Sequence, residues 1–269
     1  MSTARDRNLA DEEASEAAPD KEFMLTLAKG LAVLASFGEQ RPAMTLSEAA
    51  SASGLSRATA RRVLLTLSEL GYVTQTGRAF SLAPRILELG FAYLSTQSWV
   101  DRAEPLMKEL SHSLKESCSA AILQGDEIVY VARMPAPHRI MAVTIAVGSR
   151  LPAFFTSLGR IQLAALPDDE LRRRAARVPL VRHTPRTIAD RDALVGRIRA
   201  DGRQGFSLLD EELEPGLRSV AVPIVTRGGD TVGAINLSAH ASRASRKDLE
   251  ARFLPRLRSI AAEISRSLA

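Results

Sequence analysis

From Phe23 onward the apolar residues fall into a helical rhythm. Leu27, Leu31, Leu34 and Phe37 recur at i, i+4, i+7 and i+10, a stripe that stops at Gly38. A second, shorter helix opens at Thr45. There Thr45-x-x-Glu48 is a capping box, and Leu46, Ala49 and Ala50 supply the face to be buried. Ser53, Gly54 and Leu55 break that helix within three residues. Ser56 caps a third helix, with Ala60, Val63, Leu64, Leu67 and Leu70 inward and Gly71 at its end. The β-prone runs 72–75 and 79–82 then flank Thr76-Gly77-Arg78, which predicts a hairpin. Helix, helix, tight turn, helix, hairpin is the succession of a winged helix-turn-helix.

Pro84 opens a further helix to about residue 98. Ile86, Leu87, Leu89, Phe91 and Leu94 spread over more than one of its sides, which leaves apolar surface for a partner. A helix follows from Val100 through Leu106, Leu110 and Leu114. Strands at 120–123 and 128–132 flank a Gln124-Gly125-Asp126 turn, and a third strand fits 140–147. Helices are expected at 157–166, 168–176 and 191–202, and strands at 220–225 and 232–238. In the last helix Leu249, Phe253, Leu257, Ile260, Ile264 and Leu268 share a face that Pro255 is expected to bend. The pattern predicts an α+β chain: a disordered tail at 1–22, the winged helix-turn-helix at 23–83, a connecting helix at 84–99, and a domain with an antiparallel sheet at 100–269.

Composition narrows the class. A chain of 269 residues, 45% hydrophobic and 25% charged, is long enough for two domains and too apolar for wholesale disorder. No uncharged apolar run approaches the ~18–20 residues that span a bilayer. The acidic N-terminus lacks the order of a secretory signal. The single cysteine, Cys118, excludes an internal disulfide and a multi-cysteine zinc cluster. A cytoplasmic protein without membrane contact, metal or cofactor is expected.

Charge adds direction through its placement. Of the 36 basic residues only Lys21, Lys29, Lys108, Lys115 and Lys247 are lysines, and the rest are arginines, whose planar fork suits phosphates and guanine edges. A GC-rich genome also raises arginine content. Within 1–22, seven acids face three bases, whereas 56–85 carries Arg57, Arg61, Arg62, Arg78 and Arg85 against Glu69 alone. An acidic tail ahead of a compact basic module points to double-stranded DNA as a partner.

In a helix-turn-helix the outward residues at the start of the second helix meet base edges. Here those are Ser56, Arg57, Thr59, Arg61 and Arg62. Arg78 at the hairpin tip suits a phosphate or the minor groove, and Thr45 at the preceding cap joins the candidate surface. In the second domain, Thr156 and Ser157 cap a helix whose first turn holds Gly159. They serve either as an ordinary cap, with the glycine there for packing, or as a carboxylate site with free backbone N–H groups that the glycine lets a ligand approach. Asn236 and Ser238 share a strand face with Val232 and Ala234, opposite Ile235 and Leu237. They either line a pocket or face water. Asp210 to Glu212 and Arg218 reach the same pocket or bridge each other locally, Arg133 and Arg139 are placed to clamp an acid, and Met141 is core or pocket wall. Catalytic signals are thin: no Gly-x-Ser-x-Gly elbow, no P-loop, and four dispersed histidines without metal spacing. A competing enzyme reading rests on Cys118 as a nucleophile. A third reading is a DNA-binding adaptor that takes no effector.

Two stretches carry a resemblance across roughly 23–268. One is Gly148-Ser149-Arg150-Leu151-Pro152-Ala153-Phe154 with Thr156-Ser157-Leu158-Gly159-Arg160. The other runs from Asp210-Glu211-Glu212 through Pro215-Gly216-Leu217-Arg218-Ser219 to Pro223, and Asn236-Leu237-Ser238 and Arg252-Phe253-Leu254-Pro255 add to it. In these the chain resembles the IclR family of bacterial transcriptional regulators, and more narrowly the regulators of aromatic-acid catabolism through the β-ketoadipate route. The resemblance implies a winged helix, a connecting helix and a GAF-like effector domain. It also implies a homodimer or tetramer on operator DNA and a small aromatic or dicarboxylic acid as effector. It places the pocket at Thr156, Ser157, Leu158, Gly159, Asp210, Ser219, Ala221, Asn236 and Ser238.

Overall fold

The computed structural model describes residues 22–136 and 145–268. The acidic tail at 1–21, Arg139, Met141 and most of the strand expected at 140–147 lie outside the described residues. The chain divides into two units, Met1–Ala92 and Tyr93–Ala269.

In the first unit the local signals translate directly into elements. Helix α1 (Leu25–Ala35) is followed by β1 (Ala43–Thr45) and α2 (Leu46–Ser53), whose capping box joins Thr45 and Glu48. Helix α3 (Arg57–Glu69) starts under Ser56, whose side chain accepts from the Thr59 N–H. Strands β2 (Val73–Thr76) and β3 (Ala79–Leu82) pair antiparallel across a turn in which Gly77 adopts φ +61°, a conformation that disfavours a side chain. Val33, Met44, Ala49, Leu64, Leu67, Val73 and Phe80 pack into one core. This is a winged helix-turn-helix. The pattern missed β1, because three residues carry no period of their own. The strand exists through its pairing with β3, which gives a three-stranded sheet of order β1-β3-β2. The stripe of α1 holds in part: Phe37 is buried and Leu34 packs on the core, but Val33 also turns inward and Leu27 and Leu31 stay exposed, as does Leu70 after α3. Apolar periodicity marks faces that something covers, and among the described residues of this unit nothing covers those positions. Helix α4 (Ile86–Leu94) is shorter than expected and buries none of its side chains.

The second unit is built on a six-stranded antiparallel sheet between two helical layers. Helix α5 (Ser98–Leu114) leads into β4 (Ser117–Gln124) and β5 (Glu127–Met134), then β6 (Arg150–Pro152) and a 3-10 turn (Ala153–Phe155). Helices α6 (Ser157–Leu163), α7 (Asp168–Arg177) and α8 (Arg191–Gln204) follow. The chain then adds β7 (Ser207–Asp210), β8 (Leu217–Val225) and β9 (Thr231–His240), for a strand order β6-β5-β4-β9-β8-β7. Helix α9 (Arg246–Asp248), a π-helical turn (Leu249–Phe253) and α10 (Leu254–Arg266) close the chain.

Strand alternation sorts the sheet into two faces. Cys118, Ala120, Val220, Val222, Ile235 and Leu237 pack with α5 and α10. Ala121, Tyr130, Ala221 and Ala234 pack with Phe154, Leu158, Ile161, Leu194 and Ile198 on the other side. Val232 joins the α5 and α10 layer, against expectation, because the β8–β9 register shifts at Ile224/Val225. Pro255 follows closely on the π-helical turn that interrupts the last helix. It stands in the first turn of α10, where its missing N–H leaves no broken bond.

Candidate functional site

Two constellations carry chemistry. On α3 the buried Ala60, Leu64 and Leu67 orient the helix so that Arg57, Arg61 and Arg62 are exposed on its outer surface. Arg78 is exposed at the hairpin tip. Among the described residues none of these four guanidinium groups forms an ion pair with a carboxylate. Arg85 is different: it donates to Leu70 O at 2.9 Å, lies 5.3 Å from the centre of the Tyr72 ring and pairs with Glu88. Four positive charges are thus left to attract an outside anion. Ser56 and Thr59 share a hydrogen bond of 2.9 Å, and the Thr45 hydroxyl donates to Glu48 Oε2 at 2.8 Å, so these hydroxyls already serve the helix caps.

The second constellation is a cleft of about 440 Å³, open solvent at its mouth included, on the α6 side of the sheet. Its polar floor follows from strand register. Arg133 on β5 stands opposite Ser119 on β4, and Ser119 stands opposite Asn236 on β9. One rung along, Ser219 on β8 faces Ser238 on β9. Thr156 and Ser157 reach in from the start of α6, and Tyr130 from β5. Ile145, Leu151, Phe155, Leu209, Leu213 and Leu217 supply apolar walls.

The cleft combines a half-buried charge with polar groups on its floor. Arg133 is half-buried and donates to Ser119 Oγ at 3.1 Å, and no described carboxylate pairs with it. Burial pushes its pKa below the usual guanidinium value, with the neighbouring Tyr130 acting the other way. Burial also raises the Tyr130 phenol to about 12, opposed by Arg133, so the phenol stays a neutral donor at pH 7. Asn236 gives its amide N–H to Ser238 Oγ at 3.1 Å, while Asn236 Oδ1 and Ser157 Oγ are buried without a hydrogen-bond partner among the described residues. Both atoms face the cleft, where a ligand that donates a hydrogen bond would find an acceptor.

Of the expected pocket residues, Arg133, Thr156, Ser157, Ser219, Asn236 and Ser238 come together in the cleft. Leu158 and Ala221 do not line it, since both are buried in the core beneath. Gly159 does not provide room for a ligand. A Cβ there would stand 2.2 Å from Ala153 O, so the glycine lets α6 lie directly on the 3-10 turn. Asp210 sits outside the lining and pairs with Arg218 at 2.5 Å and Arg186 at 2.7 Å. At the start of α6 Thr156 serves as the cap: its Oγ1 accepts from the Gly159 N–H at 3.0 Å, and the cleft's positive charge is that of Arg133. Sequence reading missed Ser119, Tyr130 and the apolar wall. The alternation Ser117-x-Ser119 on an otherwise apolar strand was the available signal.

Cys118 lies on the opposite face of β4, fully buried in the α5 and α10 layer, and burial pushes its thiol up to about 12. A thiol so held supplies no nucleophilic thiolate at neutral pH, which removes the enzyme reading built on it. No helix among the described residues is long and apolar enough to cross a membrane.

Comparison with known proteins agrees with this geometry. Residues 26–77 match the IclR helix-turn-helix domain and residues 91–266 match the bacterial transcriptional regulator IclR C-terminal domain. The chain is 42% identical over 249 residues to the Pca regulon regulatory protein of Pseudomonas putida, covering 93% of this chain and 86% of that one. A solved structure from Rhodococcus sp. RHA1 is similar at 49% identity and TM-score 0.81, covering 91% of this chain and 98% of the other. An IclR homolog from Microbacterium hydrocarbonoxydans, solved with 4-hydroxybenzoate bound, aligns at 26% identity and TM-score 0.79 over 90% of this chain and 98% of its own.

Proposed function

The chain belongs to the IclR family of bacterial transcriptional regulators, and from that premise we propose that it is switched by a small hydroxylated aromatic acid bound in the cleft. The observation that carries the reading is the cleft's hydrogen-bond complement. Arg133 offers an unpaired positive charge for a carboxylate. Asn236 Oδ1 only accepts, so the ligand must bring a donor such as a ring hydroxyl. Phe155, Leu151 and Leu213 match a ring between those two ends. The relative solved with 4-hydroxybenzoate and the Pca regulon relative support the same class.

Operator DNA is the output partner. Arg57, Arg61 and Arg62 of α3 enter the major groove, and Arg78 meets the backbone beside it. The exposed Leu27, Leu31, Leu87 and Phe91 support assembly into a homodimer or tetramer. The effector acts by binding one arrangement of the assembly more tightly than another, and affinity alone shifts nothing. The protein acts in the cytoplasm and performs no chemistry on its ligand.

Calorimetric titration with 4-hydroxybenzoate, protocatechuate, benzoate and β-ketoadipate tests the effector. The hydroxylated rings bind, with benzoate about tenfold or more weaker for want of the donor to Asn236. Equal binding of benzoate, or preference for the dicarboxylate, refutes the assignment.

A further inference from the structure

Arg160 is completely buried, three residues past Ser157 on α6 and outside the cleft. Its Nε donates to Phe154 O at 2.7 Å, and its Nη2 donates to Glu212 Oε2 at 2.7 Å. Nη1 is buried with no partner. Taking a guanidinium and a carboxylate out of water is expensive, and an apolar pair of similar volume serves stability as well or better. What an ion pair adds is direction. Its two hydrogen bonds hold two separate pieces of chain at fixed distance from α6.

Both pieces build the cleft. Phe154 precedes Phe155 and Thr156, which line it, and Glu212 precedes Leu213, which forms part of its apolar wall. The segment 211–216 has no regular structure to hold its shape. Glu211 sits at φ +58°, a strained conformation for a residue with a side chain. Thr184 and Thr187 donate to Glu211 O and Glu212 O, each at 2.7 Å, and Glu211 Oε2 accepts from the Gly216 N–H at 2.9 Å. The threonines hold the backbone of this loop, and Arg160 holds the Glu212 side chain from the core beneath.

We propose that Arg160 and Glu212 are a positioning pair: they hold Leu213 and Leu217 over the cleft and thereby set effector affinity without touching the effector. This rests on the cleft being the effector site. The pair contributes shape that an apolar replacement of the same bulk does not reproduce, because apolar contact has no preferred direction.

The test uses the full-length protein with Arg160→Met/Glu212→Leu as an apolar pair and Glu212→Gln as the conservative change. Hydrogen exchange is followed in ligand-free protein over 211–217 and over β4 and β9, and affinity is titrated with 4-hydroxybenzoate as probe. The apolar pair folds with a midpoint lowered by a few degrees, since Phe154 O loses its donor, exchanges over 211–217 at least tenfold faster, and binds the probe about tenfold more weakly. Glu212→Gln keeps an acceptor for Arg160 and falls between the two. Unchanged exchange over 211–217, or faster exchange with unchanged probe affinity, overturns the proposal. If the apolar pair does not fold, Glu212→Gln decides by the same two readouts. If wild-type protein does not bind the probe, the failure falls on the effector class, and exchange in the ligand-free loop still judges the pair.

Discussion

Replacing Arg133 with methionine should move two quantities in different ways. Methionine keeps an unbranched apolar stem and removes the guanidinium that faces the cleft. A hydrogen bond to a charged group contributes roughly 1.5–3 kcal/mol. A loss of about 2 kcal/mol corresponds to about 30-fold weaker binding of a carboxylate ligand. At a ligand concentration one hundred times the wild-type Kd, binding stabilises wild-type protein by about 2.7 kcal/mol and the variant by about 0.9 kcal/mol. For a unit of this size that is a midpoint rise of about 8 °C against about 3 °C.

The ligand-free protein behaves otherwise. Arg133 is a half-buried cation without a carboxylate partner among the described residues, so its charge opposes folding until a ligand arrives. The variant's midpoint without ligand therefore stays level or rises. Differential scanning fluorimetry with and without 4-hydroxybenzoate reads both effects, and calorimetry supplies the Kd. Two results would refute the reasoning: undiminished affinity, or a ligand-free midpoint several degrees lower. The second would mean that the guanidinium holds the strands together through Ser119 and is not waiting for an anion.

Two further outcomes follow from the same structure. Alanine at Arg57, Arg61 and Arg62 together should weaken binding to a mixed-sequence duplex at least about tenfold, and alanine at Arg78 should lower its salt slope by about one, both read by fluorescence anisotropy across salt; undiminished affinity of the triple variant would dismiss α3 as the DNA surface. Cys118 should resist thiol reagents at pH 8 in folded protein and react fully in denaturant. Its folded pKa of about 12 lies above the unfolded value, so the stability it contributes is whole below about pH 9 and is lost as pH rises toward 12. Rapid labelling of the folded protein would contradict its burial.

Much of the first unit was legible because its determinants are local. A capping box at Thr45, a cap at Ser56 and a glycine turn at Gly77 each act within four residues, and all three stand where the spacing put them. What was misread there, the exposed Leu27, Leu31 and Leu70, concerns coverage, which no local rule supplies. The cleft was legible only in part. Thr156, Ser157, Asn236 and Ser238 stood out as polar residues at structured positions. Gly159 stayed open between a ligand's approach and packing because its close neighbour, Ala153, is apparent only once the 3-10 turn folds back on α6.

By itself the sequence determined the order of the helices and of the strands other than β1, β6 and β7, the face of β9 that carries Asn236 and Ser238, and the unbalanced positive charge of α3. These follow from side-chain periods and short-range caps, which are written into neighbouring residues. Only the tertiary structure decided that Arg133, Ser119 and Asn236 form one row, because that row crosses β5, β4 and β9, and β4 and β9 lie more than a hundred residues apart. It alone separated Asp210, held by Arg186 and Arg218, from the cleft it was expected to line. Register between distant strands is a property of the whole sheet: shifting it by one residue would turn every polar side chain of the cleft into the opposite core.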